Sequence, residues 1–329
     1  MDINRIPFYQ YNTIIVGTGA AGLNAAVTLH KLGQKNIALI TEGRYMGTSR
    51  NTGSDKQTYY KMTQCGSEPD SVRKMAKTLF EGGCVDGDIA MAEAAGSLRA
   101  FYHLVDIGVP FPFNKSGEYV GYKTDHDPLK RGISAGPLTS KYMTECLERQ
   151  AEERGIPFFD GYQAVRLLTE EKDGEKRAAG IIALNKQKAA SPDERYAVFS
   201  AVNIIWATGG EAGMYQASVY PVSQTGGMGV LLEAGAVAKN LTESQFGIAS
   251  VKHRWNLSGT FQQCLPRYLS AEQDGSHERE FLNDYFDTPR QLLTAIFLKG
   301  YQWPFDARKV TDGSSMIDLL VYRETCVRG

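Results

Sequence analysis

The segment from Thr13 to Glu42 constrains this chain more than any other. Ile14, Ile15 and Val16 form a short β-branched apolar run, as a buried parallel strand does. Gly17, Gly19 and Gly22 follow in the spacing G-x-G-x-x-G, with Ala20 and Ala21 between them. From Leu23 to Leu32 the chain is alanine-rich without Gly or Pro, a helix by propensity. A second apolar run, Ile37 to Ile40, leads to Glu42, twenty residues beyond Gly22. Each glycine has a physical reason: Gly17 for a tight turn out of the strand, Gly19 for close approach of a pyrophosphate, Gly22 for close helix–strand packing. Free amides and the helix dipole then favour a diphosphate at the helix start, and Glu42 is placed to accept from a ribose diol. The fingerprint specifies a dinucleotide but does not separate FAD from NAD, which share the adenosine diphosphate half.

Composition removes several alternatives. A formal net charge of −1 over 329 residues argues against a nucleic-acid surface or a polybasic membrane patch. No apolar run approaches the roughly 18 residues of a membrane helix, so no direct membrane insertion is expected. Met1 to Gln10 lacks the apolar core and cleavage site of a secretory signal, and a cytoplasmic protein is expected. The cysteines at 65, 84, 146, 264 and 326 show no C-x-x-C pair, and the histidines no H-x-x-x-H spacing. Free thiols and no metal site are the expectation.

Beyond Glu42, the polar stretch from Gly43 to Lys56 reads as a loop. Gly43, Thr48, Ser49, Thr52, Gly53 and Ser54 are its candidates for phosphate or ring contacts; otherwise it is an ordinary surface loop. Asp70-Ser71 caps a helix carrying Val72, Met75, Leu79 and Phe80, and a second helix runs from about Asp88 to Ile107 before Gly108 and Pro110. Tyr119 to Tyr122 reads as a short strand. Asp125, His126 and Asp127 read as solvated loop charge. Leu138 to Arg154 is an amphipathic helix. The period then becomes alternating: strands at Ile156–Phe159, Tyr162–Glu170, Ala178–Asn185 and Arg195–Val202 make an antiparallel meander. Asn203 to Ala207 forms a further buried strand running into Thr208, Gly209 and Gly210, small residues where ligands meet the carboxyl ends of parallel strands. Thr225, Gly226 and Gly227 open a second apolar helix. From about Val251 the character changes, with a helix from Pro289 to Lys299. Two domains are expected, 1–250 and 251–329.

These motifs, in this order, resemble the flavoprotein-subunit family of fumarate reductase and succinate dehydrogenase, which also holds L-aspartate oxidase. The pieces are the fingerprint with Glu42, the Gly47–Ser54 loop, the helix ending at Gly108-Val109-Pro110-Phe111, the Ala207-Thr208-Gly209-Gly210 strand end, and Thr225-Gly226-Gly227 with Glu233-Ala234-Gly235-Ala236. The resemblance implies an α/β fold, a Rossmann-like FAD-binding domain with an inserted antiparallel meander and an α+β capping domain. It implies FAD held by backbone amides, with Glu42 on the ribose and Ala164-Val165 near the adenine. It further implies hydride transfer between flavin and a small carboxylate substrate. Arg290, in Pro289-Arg290-Gln291, matches the family's proton-donating arginine, and an iron–sulfur or other electron-transfer subunit is the implied partner. Alternatives in the same family are an amino-acid oxidase, another substrate such as a ring ketone, or an inactive FAD-binding fragment.

The departures from the family carry their own expectations. Gln245-Phe246 is followed by Gly247 where succinate-type members have a substrate-binding histidine. Ser49-Arg50-Asn51 replaces the Ser-His-Thr of covalent members, which implies noncovalent FAD. The Thr-Gly-Asp-Gly turn has lost its acid at Gly227. The family also continues past position 329 into a second flavin-binding segment, so this chain reads as a truncated member.

Overall fold

The computed structural model describes residues 6–54, 57–83, 85–124, 127–210, 214–215, 226–239, 241, 249–250, 255–256, 259–302 and 305–328. They fall into two compact units. The first draws on Met1–Tyr122, Arg131–Gln216 and Val222–Asn240, the second on Lys123–Lys130 and Leu241–Gly329.

The first unit is a sheet with helices. Strand β1 (Phe8–Val16) leads into α1 (Ala20–Lys31) and β2 (Ile37–Thr41), which is buried along its whole length. After a helical turn, α2 (Thr48–Asn51), come β3 (Tyr59–Tyr60), α3 (Val72–Glu81), α4 (Gly87–Asp106), β4 (Gly132–Ile133) and α5 (Thr139–Glu153). Then follow β5 (Phe158–Asp160), β6 (Tyr162–Lys172), β7 (Glu175–Asn185), β8 (Tyr196–Trp206) and the six-residue α6 (Met228–Glu233). The large sheet has the order β5-β2-β1-β8-β7-β6. β5, β2, β1 and β8 run parallel, and β7 and β6 continue the sheet antiparallel.

Alternation along β1 divides the core. Ile15 packs with Leu23, Val27 and Leu39 and with Phe101, Leu104 and Leu147 from α4 and α5. Ile14 and Val16 face the other way, against Ile40, Ile181, Ala197 and Phe199. Period two on the strand and 3.6 on the helices thus meet the same core from both sides.

Several sequence expectations change. The strand at 156–159 is not part of the meander: β5 pairs parallel with β2 as the sheet edge. The strands at 195–202 and 203–207 are one, because β8 pairs with β7 through its first half and with β1 through most of its length. Asn203, polar and exposed, breaks the apolar alternation without breaking the ladder. Tyr119 to Tyr122 is not a strand; only Tyr122 bridges Gly132. Ser71 alone caps α3, accepting from Lys74 N–H, while Asp70 pairs instead with the buried Arg131 at 2.7 Å. Burial pushes the Asp70 carboxyl up, but the Arg131 guanidinium and two backbone N–H donors hold it below its usual range.

The second unit holds a two-residue pair, β9 (Ala249–Ser250) with β10 (Trp255–Asn256), several 3-10 turns, and helices α7 (Pro289–Lys299) and α8 (Ser315–Tyr322). Phe281, Leu282, Ala295, Ile296, Ile317 and Leu320 form its core. Lys299 is buried there and meets Asp318 at 2.5 Å.

Candidate functional site

The carboxyl ends of β2, β1 and β8 lie side by side. Gly17 N–H donates to Ile40 O at 2.8 Å, and Ala207 N–H to Val16 O at 2.7 Å. Gly17 has φ +110°, open to glycine, and a Cβ there would overlap the Ala207 carbonyl oxygen. A Cβ on Gly22 would overlap Gly17 O. Gly19 differs: its nearest neighbour would be Ser49 Oγ at 3.3 Å. Two fingerprint glycines are therefore demanded by the chain's own backbone, and the third leaves open approach over the helix start.

That start is sparsely capped. Gly19 supplies no side chain and the first turn of α1 has no acidic residue. Ala20 N–H reaches Ser49 Oγ at 3.3 Å; Ala21 and Gly22 complete the turn whose amides have no intrahelical acceptor. A diphosphate suits this place by charge and by geometry.

The loop from Gly43 folds back over the same turn. A Cβ on Gly47 would lie 3.7 Å from Gly19 Cα. Instead of the loop expected from composition, Thr48 to Asn51 make the helical turn α2, closed by Thr52, whose N–H donates to Thr48 O at 3.0 Å. Two arginines, one before it and one within it, hold it to α5. Arg44 Nε meets Glu148 at 2.5 Å and its guanidinium also pairs with Glu152, while Arg50 pairs with Glu148 and approaches Glu145 at 3.7 Å. Beyond them, Ser54 N–H donates to Pro137 O at 3.0 Å, and Gly53 lies against Leu138. Gly47 and Ser49 thus lie at the α1 start, Gly43 stays with Thr41 and Met46, and Gly53 and Ser54 are fastened at the start of α5, with Thr52 joined to Ser140 of α5 through the Gln57 side chain.

Glu42 follows the last residue of β2, as its spacing implied. Its carboxylate is engaged: Lys186 Nζ lies 2.9 Å from Oε1. Thr41 and Thr18 hydroxyls bond beneath it at 3.0 Å. Ala164 sits on β6 and packs in the same cluster as Val16 and Ile40. Beside it the ladder skips Val165 between Ala164 and Arg166, a bulge that leaves one residue without a partner. Thr208 donates its hydroxyl to Gly226 O, tying the β8 end to the left-handed turn of Gly226 and Gly227. Gly209 also has positive φ, at +96°. Thr225 lies outside the described residues, as do Asp125 and His126; Asp127, expected to be solvated, is instead buried and accepts from Leu129 N–H at 2.7 Å.

Arg290 belongs to the second unit. It follows Pro289 in the first turn of α7 and is exposed. No ion pair engages it among the described residues.

Three features escaped the sequence reading. Lys186 carries no motif and is found only because β7 returns it to Glu42. The Arg44–Arg50 grip on α5 needs residues about a hundred positions apart. Trp206, the bulky residue just before the small Ala207-Thr208-Gly209-Gly210 end, keeps its indole Nε1 buried with no acceptor among the described residues.

A family model described as an FAD binding domain matches residues 12–266. The chain is 28% identical over 242 residues to an L-aspartate oxidase of Agrobacterium fabrum, covering 71% of this chain and 42% of that one. It is 26% identical over 268 residues to the succinate dehydrogenase flavoprotein subunit of Rickettsia conorii, covering 74% and 40%. Among solved structures it resembles E. coli quinol fumarate reductase, with TM-score 0.67, 19% identity, and coverage of 90% of this chain and 50% of that one. The chain therefore spans half or less of the length of these relatives. No described helix is long and apolar enough to cross a membrane.

Proposed function

The chain belongs to the FAD-binding family that holds L-aspartate oxidases and succinate dehydrogenase and fumarate reductase flavoprotein subunits, and from that premise we propose that it is an FAD-dependent oxidoreductase acting on a small carboxylate substrate. When bound, FAD supplies hydride chemistry that no side chain offers. The chain's part is to hold and orient it. The amides at the start of α1 take the diphosphate, with Gly19 giving access. Glu42 takes the ribose hydroxyls through the oxygen that Lys186 leaves open. The backbone at the Val165 bulge meets the adenine. Gly43, Thr48 and Ser49 close over the diphosphate, with Thr52, Gly53 and Ser54 beyond them, and Ala207, Thr208, Gly209 and the turn of Gly226 and Gly227 line the far side, Thr225 being a further candidate by sequence. Attachment is noncovalent, because Arg50 stands at the histidine position of covalent members and is engaged by Glu145 and Glu148.

Arg290 donates the proton to the substrate carbon next to the one exchanging hydride. A guanidinium is a poor acid, so this role requires a base that relays the proton to it. Residues 251–329 supply the substrate contacts, and an iron–sulfur or other electron-transfer subunit is the proposed partner.

The observation that carries the reading is Gly19, whose missing Cβ answers to nothing in the chain's own packing except a serine hydroxyl. The test is titration of purified protein with FAD, followed by denaturation and separation. Flavin bound before and released after supports the proposal; a folded sample that takes up no flavin overturns it. Turnover is then assayed with an unsaturated dicarboxylate, a saturated dicarboxylate and aspartate. Oxidation of aspartate favours a second reading, an amino-acid oxidase, for which Gly247 in place of the succinate-type histidine is the specific argument.

A further inference from the structure

We propose that Trp206 is a ligand-directed donor of the dinucleotide cradle: its indole N–H hydrogen-bonds an acceptor oxygen of bound FAD. The inference rests on the FAD reading above and adds a residue that no motif marks.

Trp206 is the last residue of β8 and pairs in register with Val16, the residue before the Gly17 turn. Its ring packs with the cluster of Ile14, Val16 and Ile40. The N–H edge faces the second glycine turn: a Cβ on Gly227 would lie 3.5 Å from Cζ2 and 3.6 Å from Nε1. The Thr208 hydroxyl, 3.3 Å from the same point, already donates to Gly226 O. So of these two side-chain donors beside the turn, one is satisfied within the chain and the other has no acceptor among the described residues.

An indole nitrogen donates and never accepts, so its partner must bring an oxygen lone pair. Leaving such a donor buried without an acceptor destabilises a fold, and nearly all buried polar groups in native proteins are paired. His103 Nε2, on α4, is likewise unpaired, so an unpaired atom alone does not mark a site. Trp206 is distinguished by its place, between the Gly17 turn and the Gly227 turn at the carboxyl ends of parallel strands, where ligands bind in this architecture. The diphosphate, the ribityl hydroxyls and the ring carbonyls of FAD all offer acceptors.

The test compares wild type with Trp206→Phe, which keeps an aromatic ring and removes the donor. FAD binding should weaken by about tenfold, the loss of one buried hydrogen bond. Without FAD, the variant loses only the packing of the larger ring, so the fall in its FAD affinity should persist at temperatures where both proteins are fully folded. Unchanged FAD affinity overturns the proposal. As a measurement independent of this variant's folding, the doubly substituted W255F/W303F protein leaves Trp206 as the one indole of the three in the chain. Its nitrogen-15 N–H resonance should move downfield on adding FAD, and a stationary resonance with FAD bound overturns the assignment. Wild type that binds no flavin removes the functional premise; wild type that binds flavin with W206F indistinguishable from it removes only the donor.

Discussion

Two helices in this chain open in opposite ways. In the second unit, α7 is closed by its own side chains: Thr288 accepts from Gln291 N–H, the Gln291 side chain accepts from Thr288 N–H, and Pro289 occupies the first helical position. In the first unit, α1 opens from Gly19 with no side-chain cap and no first-turn acid. A complete capping box satisfies donors that otherwise need water or a ligand. The contrast separates a helix start closed by its own side chains from one that, on the function proposed above, keeps its amides for an anion. It also isolates Arg290. A cation in the first turn of α7 opposes the helix dipole by a few tenths of a kcal/mol, so local stability does not account for it.

The largest effects break the comparison at α1. Gly22→Ala or Gly17→Ala puts a methyl into a backbone carbonyl and should cost about 3 kcal/mol or more, read as a fall in urea midpoint. Gly19→Ala meets only a serine hydroxyl and should change stability by less than about 1 kcal/mol, yet weaken FAD binding at least about tenfold by crowding the diphosphate. Equal destabilisation at all three positions would show that Gly19 belongs to packing like the others.

The sequence made this part legible because backbone sterics act locally. A glycine triplet after a β-branched run specifies turn, helix start and strand within thirty residues. Element identity survived wherever one period ruled a long segment, as in α4, α5 and α7. It failed where partners decide. Asp70 reads as a cap, but the distant Arg131 takes it into a buried pair. The stretch 156–160 reads as part of a meander until β2 claims it. Thr48 to Asn51 reads as loop by composition, yet Arg44 and Arg50 bind it to α5, and that grip fixes a helical turn. Of the proposed site, the glycines and Glu42 are legible from spacing alone; Lys186 and Trp206 are not, because neither chemistry nor spacing distinguishes them before the chain folds.

The next effect tests the other helix. Arg290→Ala should lower turnover about a hundredfold or more, the scale of losing a positioned proton donor, while stability stays within about 0.5 kcal/mol and FAD affinity is unchanged. A variant that loses stability and turnover together would return Arg290 to a structural role. Thr288→Ala sharpens the same contrast with a smaller effect: loss of the capping box should cost about 1 kcal/mol in the second unit and leave FAD binding untouched. An equivalent change is not available at the first position of α1, where Gly19 has no side chain and only Ser49, from the following loop, accepts from an amide of the turn.

The smallest expected effect is a pH slope that belongs to the first unit. His103, in the last turn of α4, has Nε2 buried without an acceptor. Burial, followed by the charges of Lys31 and Arg154, pushes its pKa below 6.5, against a smaller opposing pull from Asp106. The folded state therefore favours the neutral ring. As pH falls through 6.5 the unfolded chain binds the proton first, so stability declines until the folded-state group itself titrates; above 6.5 the contribution is complete. His103→Gln should remove that part of the slope between pH 6.5 and the lower folded-state value, measured as urea midpoint against pH. A slope of the same steepness in the variant would assign it to other groups. Asp70 does not contribute there: its lowered pKa keeps its stabilisation complete above the usual carboxylate range and loses it only at more acidic pH.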